Sequence, residues 1–259
     1  MADFLVERSE RGVVTLTLNR PRRKNAIPGT LWEPLRQVFQ EVRNDPNDRV
    51  LVVTGAGGAF CAGADLSASD TGGEQSHPIH SMQVVNACAQ ALHDLNVPSI
   101  AKVRGDAVGA GMNLALGCDL VVASENARFS EVFARRALSL DFGGSWLLPR
   151  LVGLHKAKEL ALFAEILDAK QASELGLVNR VVPDAELDAF VDDWADRLAA
   201  GPPLALQLSK RLLNDGLTSS LGEALSAEAS AQSVNLTSQD TREGVAAFLE
   251  KREPAFEGR

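Results

Sequence analysis

The sequence of 259 residues is poor in the residue types that build metal centres and disulfide frameworks. It contains three cysteines and four histidines, and neither a CxxC nor an HExxH spacing occurs. No apolar run reaches the roughly 18 residues that a membrane span needs, and the N-terminus has no apolar core of signal-peptide length. We therefore expect a cytoplasmic protein in a reducing compartment, with no metal and no membrane partner.

Positive charge is also scarce. Twenty-six lysines and arginines against 34 aspartates and glutamates give a formal net charge of −8, which argues against a general affinity for nucleic acid. The cations are nevertheless concentrated in one loop, because four of the five residues from Arg20 to Lys24 are basic. In an acidic protein such a loop favours a phosphate-bearing ligand, and a solvated turn is the alternative interpretation.

Three common catalytic or nucleotide-binding signatures are missing. The sequence has no GxGxxG spacing after a strand and no Walker lysine, so it does not predict a dinucleotide or nucleoside triphosphate site. It also lacks GxSxG, which excludes the nucleophile elbow of the α/β-hydrolases. The chemistry must therefore come from other features of the chain.

Glycine-rich turns that follow buried strands are what the sequence does offer. Ser99–Val103 reads as a short buried strand, and Gly105–Asp119 then combines four glycines with an apolar helix. A similar turn, 55–66, follows the apolar run Val50–Thr54. Such turns present free backbone N–H groups that can hold an anion or a developing oxyanion, or they serve only as tight turns.

Strands and helices alternate up to Val182, and the chain from Asp184 onward has helical periodicity throughout, which predicts an α/β fold followed by helices. The polar segment Ser67–His80, which includes Glu74, is predicted to be a loop near the site. A helix is predicted over Ser81–Leu95, with Met82 among its inward-facing residues.

Six motifs stand in an order that resembles the crotonase superfamily, also called the enoyl-CoA hydratase/isomerase family. Any one of them is weak evidence, whereas the ordered set covers nearly the whole chain. The motifs are Asn19-Arg20-Pro21 with Lys24-Asn25-Ala26, Phe60-Cys61-Ala62-Gly63-Ala64-Asp65-Leu66, Gly105 with Gly109-Ala110-Gly111 and Cys118-Asp119, Gly143-Gly144-Ser145 with Leu148-Pro149-Arg150, Gly176-Leu177-Val178-Asn179, and Gly244–Arg252.

The resemblance implies a spiral of ββα turns over residues 1–200 and a C-terminal helical trimerisation region over residues 201–259. It implies a homotrimer or hexamer in which Phe248 and Lys251 reach the coenzyme A of a neighbouring subunit. The substrate would be an acyl-CoA, so that coenzyme A is part of the substrate and no separate cofactor is needed. Fatty acid metabolism is the setting that this implies.

The resemblance also implies which residues form the site. The thioester oxygen would lie between the backbone N–H groups of Ala64 and Ala110, for which alanine serves because the donor is the backbone. The remaining substrate and coenzyme A contacts would come from Lys24, Ala26, Ala62, Gly63, Asp65, Leu66, Asn113 and Phe133.

The sequence departs from the pattern of a typical hydratase, which uses two glutamates to hold and activate water. Asn113 and Phe133 occupy those two positions, and neither side chain is a base near neutral pH. Asp141 matches instead the acid of family members that shift double bonds, and its apolar neighbours predict a raised pKa. The alternatives are that Asp141 is a helix N-cap, or that Glu131 is the base. Asp65 and Asp119 are expected to brace turns.

These observations favour double-bond isomerisation of an enoyl-CoA with Asp141 as acid and base. Two alternatives stay open. One is an enoyl-CoA hydratase that uses Asp141 or Glu131 while Asn113 orients the water, and the other is a catalytically inactive protein that binds coenzyme A esters.

Overall fold

The computed structural model describes residues 2–67 and 77–259. The strands in it are β1 (Phe4–Arg8), β2 (Val13–Leu18), β3 (Val50–Gly55), β4 (Ser99–Val103), β5 (Asp106–Val108), β6 (Leu120–Ser124), β7 (Arg128–Ser130), β8 (Leu167–Asp168) and β9 (Arg180–Val182). The α-helices are α1 (Trp32–Asn44), α2 (Pro78–His93), α3 (Ala110–Leu116), α4 (Gly144–Val152), α5 (Leu154–Phe163), α6 (Ala169–Glu174), α7 (Leu187–Ala199), α8 (Pro203–Gly216), α9 (Leu221–Thr237) and α10 (Gln239–Glu250). Short 3-10 helices cover Pro21–Arg23, Gly29–Leu31, Val132–Arg136 and Asp184–Glu186.

A six-stranded sheet in the order β1-β2-β3-β4-β6-β9 forms the centre of the fold. The alternation of apolar and polar residues predicts a hairpin of Phe4–Glu7 with Val13–Asn19. In the structure β1 pairs with β2 antiparallel, and every later neighbour in the sheet is parallel. Each parallel neighbour requires a crossover, and helices supply most of them. The α/β class predicted from the sequence is therefore confirmed.

Both faces of this sheet are covered, as the continuous apolar run of β3 predicted. Side chains along a strand point alternately to opposite faces. Leu51 and Val53 accordingly join a core that includes Phe39 of α1, while Val50 and Val52 belong to a second core beneath α7.

A smaller sheet of β5, β7 and β8 brings two distant segments to one edge, and the sequence analysis missed β5 and β8. These strands have three and two residues, too few to show a periodicity. β5 runs parallel to β7, with Val108 opposite Ser130, and the N–H of Gly109 donates to the carbonyl of Ser130 at 2.8 Å. The first residues of α3 and Glu131, which directly follows β7, therefore lie close to each other.

Two expectations around α2 are wrong. The helix begins at Pro78, so that His80 lies in its first turn rather than in a loop. Met82, expected to face inward, is 38% exposed, whereas Val85 and Leu92 further along the helix are buried. The first turn of α2 thus carries no buried residue. Glu74 lies outside the described residues.

The chain after residue 200 is helical, with α8, α9 and α10 as predicted. α9 has one buried residue, Ala231, and many of the apolar side chains of α9 and α10 are exposed. The division of the chain at 200/201 stays a prediction. None of the helices within residues 2–67 and 77–259 combines the length and the apolar character needed to cross a bilayer.

Candidate active site

Two backbone turns meet at the centre of the candidate site. A bridge pairs Cys61 with Ala107: the N–H of Cys61 donates to the carbonyl of Asp106, and the N–H of Val108 donates to the carbonyl of Cys61, both at 2.9 Å. Gly63 has a φ of +89°, a conformation that L side chains rarely adopt. A Cβ at Gly63 would lie 2.7 Å from the carbonyl oxygen of Val108 and 3.4 Å from the nitrogen of Ala110. The absence of a side chain at residue 63 therefore permits this contact.

The N–H groups of Ala64 and Ala110 are both free of hydrogen bonds within the described residues. Ala64 pairs with Ile27 in a parallel bridge that uses the N–H groups of Ile27 and Asp65, so the N–H of Ala64 itself is not consumed. Ala110 is the first residue of α3, where backbone N–H groups have no partner inside the helix. Because Ala110 adjoins Gly63, the turns bring two free donors together, and two such donors can stabilise one oxyanion.

Asp141 lies between the 3-10 helix Val132–Arg136 and α4, with its carboxyl group largely buried. Burial raises the pKa of Asp141 to about 6. Its Oδ1 is buried and has no hydrogen-bond partner in the described structure. The residue that caps α4 is Gly143, so the interpretation of Asp141 as a helix N-cap is wrong. A carboxylate with no ion pair and a pKa near the working pH is suited to proton transfer.

The backbone around Asp141 is held in an unusual conformation. Phe142 has a φ of +46°, which is rare for a bulky residue, and its buried ring packs on Trp32 with centroids 5.4 Å apart. The carbonyl of Asp141 accepts hydrogen bonds from the N–H of Gly144 at 2.9 Å and from Nδ2 of Asn113 at 3.0 Å. The position of Asp141 is thereby determined by groups from α1, α3 and α4.

Asn113 and Glu131 form a buried polar cluster with Asp141. Asn113 is 0% exposed and Glu131 is 1% exposed, and Nδ2 of Asn113 donates to Oε2 of Glu131 at 3.4 Å. Burial, together with the negative charge of Asp141, raises the pKa of Glu131 to about 8. A Cβ at Gly144 would lie 2.4 Å from Nδ2 of Asn113, so α4 can pack here because residue 144 has no side chain.

The sequence analysis names Glu131 as an alternative base and combines it with Asn113 only by role, in the hydratase alternative. The hydrogen bond between the two side chains is found in the structure. The contact arises from the parallel pairing of β5 with β7, for which the sequence carries no local signal. Phe133, by contrast, packs its ring close to Gly109, with Cζ 3.6 Å from where a Cβ of Gly109 would lie. Position 133, where a typical hydratase has its second glutamate, therefore carries no titratable group.

The coenzyme A residues predicted near the N-terminus lie against the Ala62–Leu66 turn. The N–H of Ala62 donates to the carbonyl of Lys24 at 2.9 Å, and Ala26 precedes the bridge to Ala64. The ammonium group of Lys24 lies 2.8 Å from the carboxylate of Asp106. Leu66, at the end of the turn, is 64% exposed.

Asp65 and Asp119 brace turns. The hydroxyl and the N–H of Ser67 both donate to Asp65. These two hydrogen bonds, with a smaller contribution from Arg20, lower the pKa of Asp65. Asp119 accepts from the N–H and the hydroxyl of Ser99, both at 2.7 Å, and pairs with Lys210. Both carboxylates are consumed by these contacts.

Phe248 and Lys251 lie at the other end of the chain. Phe248 is 82% exposed near the end of α10, and Lys251 follows that helix in a left-handed conformation. Within the described chain, no side-chain hydrogen bond or ion pair joins either residue to the Asn113–Glu131–Asp141 cluster. Their predicted contact with the coenzyme A of a neighbouring subunit therefore stays a prediction.

A surface cleft of about 380 Å³ between α2 and α4 adjoins this arrangement through Phe142 and Gly143, the two residues after Asp141. Its lining includes Ala89, His93, Phe142 and Trp146 but not Asp141, Ala64 or Ala110. The candidate site is defined by the two turns and the buried carboxyl cluster, and this cleft is not part of it.

Comparisons with known proteins bear on the fold and the family of the chain. Residues 8–259 match the family model described as enoyl-CoA hydratase/isomerase. The chain is 40% identical over 262 residues to a 1,2-epoxyphenylacetyl-CoA isomerase of Escherichia coli, covering 100% of both chains, and 34% identical to a crotonyl-CoA hydratase of Syntrophomonas wolfei, covering 98% and 97%. A crystal structure of an enoyl-CoA hydratase from Bacillus anthracis superposes with a TM-score of 0.94 at 33% identity, covering 100% of both chains.

These similarities define the class of the protein as an enzyme of the crotonase superfamily with the crotonase fold. The chain belongs to the enoyl-CoA hydratase/isomerase family. Its relatives include both isomerases and hydratases, so family membership alone does not select one reaction.

The environment of Asp141 generates a prediction about stability and pH. Because its pKa is raised from 3.8 to about 6 in the folded state, the folded protein binds this proton more tightly than the unfolded chain. Its contribution to stability is therefore present below about pH 3.8 and is lost as the pH rises through about 6. We therefore expect the free energy of unfolding of Asp141→Asn, relative to that of the wild type, to increase as the pH rises across this interval. Urea unfolding at a series of pH values measures this difference.

Asp192→Asn, which changes an exposed carboxyl on α7, is the matched control and should show no such trend. A difference between Asp141→Asn and the wild type that stays constant with pH would contradict the burial of an ionisable Asp141.

Proposed function

We propose that this enzyme moves the double bond of an enoyl-CoA thioester, converting a 3-enoyl-CoA to the conjugated 2-enoyl-CoA. The observation that carries the proposal is the carboxyl group of Asp141, which is buried, has no ion pair with any described residue and is raised in pKa to about 6. A typical two-glutamate hydratase has acids where this chain has Asn113 and Phe133. The single-carboxylate reaction is therefore the better match.

In the proposed mechanism, the carboxylate of Asp141 removes a proton from C2 of the substrate. The electron pair of the broken C–H bond moves toward the thioester, and the oxygen that gains negative charge is held by the N–H groups of Ala64 and Ala110. Asp141, now protonated, returns the proton to C4, and the double bond comes to lie between C2 and C3. One proton leaves and one returns, so no other reactant is needed.

The coenzyme A part of the substrate is proposed to lie along the turns next to Lys24, Ala26 and the Ala62–Leu66 turn. Arg22 and Arg23 are exposed on the 3-10 helix that precedes Lys24. Their positive charge is suited to the phosphates of coenzyme A. Coenzyme A would be part of the substrate, and the proposed chemistry uses no further cofactor.

Hydration of a 2-enoyl-CoA is the second candidate, and the buried cluster is the observation that favours it. Three buried acceptors have no hydrogen-bond partner among the described residues, namely Asn113 Oδ1, Glu131 Oε1 and Asp141 Oδ1. A buried water molecule needs two to four such groups. In this reaction Glu131 or Asp141 would activate the water that Asn113 orients. Comparing isomerisation with hydration in one assay separates the two candidates.

We further propose that the enzyme works in the cytoplasm as a homotrimer or hexamer assembled through its C-terminal helices. Its three cysteines are buried and unpaired, as expected in a reducing compartment. The exposed apolar side chains on α9 and α10 are numerous for a monomer surface. They are Leu221, Leu225, Val234, Leu236, Val245, Phe248 and Leu249.

The first test of the proposed reaction is the substitution Asp141→Asn, which removes the base and keeps its shape. We expect turnover of a 3-enoyl-CoA to fall by about 10²–10⁴-fold, while the Kd for the thioester stays nearly unchanged. The wild type should isomerise a 3-enoyl-CoA faster than it hydrates the 2-enoyl-CoA. Products from a panel of 3-enoyl-, 2-enoyl- and aryl-acyl-CoA thioesters are identified by mass spectrometry.

Asp192→Asn is the control for this measurement and should retain wild-type turnover. Full activity of Asp141→Asn would rule out the isomerase mechanism. Thioester binding without any conversion across the panel would identify an inactive coenzyme A ester-binding protein.

The second test concerns the two backbone donors and compares two glycines of similar conformation. Gly63 and Gly58 have φ values of +89° and +82°, so that alanine is strained at both. Nothing lies within 4 Å of a Cβ at Gly58, whereas one at Gly63 would collide with Val108. We expect Gly63→Ala to separate the N–H groups of Ala64 and Ala110 and to lower kcat by about 10²–10³-fold.

Gly58→Ala should keep most of its kcat and lose only stability. Equal kcat values for the two variants would show that the contact between the turns does not position the donors.

The third test addresses assembly. Multi-angle light scattering at micromolar concentration is expected to report three or six copies of the chain, because assembly would bury the apolar faces of α9 and α10. Leu225→Glu on α9 should lower the measured mass. A wild-type monomer would contradict the assembly and also the predicted role of Phe248 and Lys251 in a neighbouring subunit's site.

A further inference from the structure

Glu131 is a buried carboxyl group that the proposed isomerisation does not use. It follows β7 directly, and its side chain is 1% exposed. Oε2 of Glu131 accepts from Nδ2 of Asn113 at 3.4 Å, and Oε1 has no partner in the part of the chain that the structure describes. No ion pair to Glu131 occurs within the described part of the chain. Such a group is expensive to bury in its charged form, so its presence calls for an explanation.

The cluster around Glu131 is short of hydrogen-bond donors. Three of its buried oxygens have no donor among residues 2–67 and 77–259, namely Asn113 Oδ1, Glu131 Oε1 and Asp141 Oδ1. Buried acceptors without donors are unfavourable, and two neighbouring carboxylates in the charged form would also repel each other. One proton on either carboxyl group supplies a donor and removes one negative charge.

The difference in burial decides which carboxyl group holds that proton. Glu131 is more completely buried than Asp141, and burial penalises the charged form. The pKa of Glu131 is raised to about 8 and that of Asp141 to about 6. Between these two values the proton therefore resides on Glu131 and the negative charge on Asp141.

The charged groups on the neighbouring elements do not offset the burial of Glu131. α3 contributes Asn113, which does not titrate, and the segment before α4 contributes Asp141, whose charge raises the pKa of Glu131. The 3-10 helix that follows Glu131 ends in two exposed arginines. Helix α5 packs on this 3-10 helix. It carries a lysine–glutamate ion pair on its surface, one further lysine and one histidine. These residues are Arg135, Arg136, Lys156, Glu159, Lys158 and His155.

We propose that Glu131 rests as a neutral carboxylic acid that orients Asn113 and keeps Asp141 as the single charged carboxylate of the site. Glu131 is thus a positioning residue, because it acts through Asn113 and Asp141. When Glu131 ionises, a second negative charge appears beside Asp141 and beside the developing enolate, and turnover is lost. This effect on turnover rests on the proposed isomerisation, whereas the neutral state of Glu131 does not.

The pH dependence of kcat tests this proposal. In the wild type, kcat should fall below about pH 6, where Asp141 gains a proton, and above about pH 8, where Glu131 loses one, by about tenfold per pH unit in each direction. Glu131→Gln keeps the neutral shape and cannot ionise. It should retain the acidic fall and lose the fall above about pH 8.

Two further variants separate positioning from charge. Glu131→Ala removes the acceptor for Asn113 and should lower kcat at every pH, while Glu131→Gln restores it. Glu165→Gln changes an exposed glutamate and should leave the whole profile as in the wild type. A Glu131→Gln profile that still falls above about pH 8 would overturn the proposal.

Stability provides a second measurement that does not depend on activity. A pKa raised from 4.5 to about 8 means that the contribution of Glu131 to folded stability is present below about pH 4.5 and lost as the pH rises through about 8. Glu131→Gln should therefore become more stable relative to the wild type across this interval, by urea unfolding. A difference that is constant with pH would overturn the neutral state of Glu131.

The two measurements also distinguish failure of this inference from failure of the proposed function. If no thioester is converted, the proposed isomerisation falls, and the stability difference still decides the state of Glu131. If Glu131→Gln does not fold, the infrared band of a carboxylic acid in the wild type decides instead. That band should be present at about pH 7 and lost by about pH 9.5, and its absence at the lower pH would contradict the proposal.

Discussion

The close approach of two backbone segments, 61–64 and 107–111, is the constraint on which the candidate site depends. The bridge between Cys61 and Ala107 holds them in register, and the missing side chain at Gly63 lets the carbonyl of Val108 come within 2.7 Å of a Cβ position. Any side chain at Gly63 would separate the turns. Because the segments touch, Ala110 lies close to Gly63, the residue before Ala64, and no described residue uses the N–H group of either alanine. The donors are backbone atoms, so their position follows from the fold rather than from a rotamer.

The carboxyl cluster shows what this architecture costs in stability. Asp141 and Glu131 are both buried, and burial raises the pKa of each, which means that the folded protein resists their ionisation. The backbone next to Asp141 is strained as well, since Phe142 has a positive φ. The packing of Phe142 on Trp32 and the hydrogen bonds to the Asp141 carbonyl hold this arrangement in place. Such unfavourable features are typical of sites where function, rather than stability, selects the residues.

Long elements with strong patterns could be predicted from the sequence, while short ones could not. The hairpin of β1 and β2, the buried run of β3 and the C-terminal helices were recognised because each element continues one residue pattern over at least five residues. β5 and β8 were missed because strands of three and two residues carry no pattern. Met82 was misplaced because helical spacing indicates which residues share a face but not where the neighbouring element ends.

The sequence by itself determined the family, the turn chemistry and the identity of Asp141 as the candidate acid, because these depend on residue types at short spacings. Only the tertiary structure showed that Glu131 shares a buried cluster with Asn113 and Asp141, which lie 18 and 10 positions away. Parallel pairing of β5 with β7 creates that contact, and no local pattern encodes which strands become neighbours. The raised pKa of each carboxyl group is likewise a property of burial, which arises when distant segments pack together and exclude water.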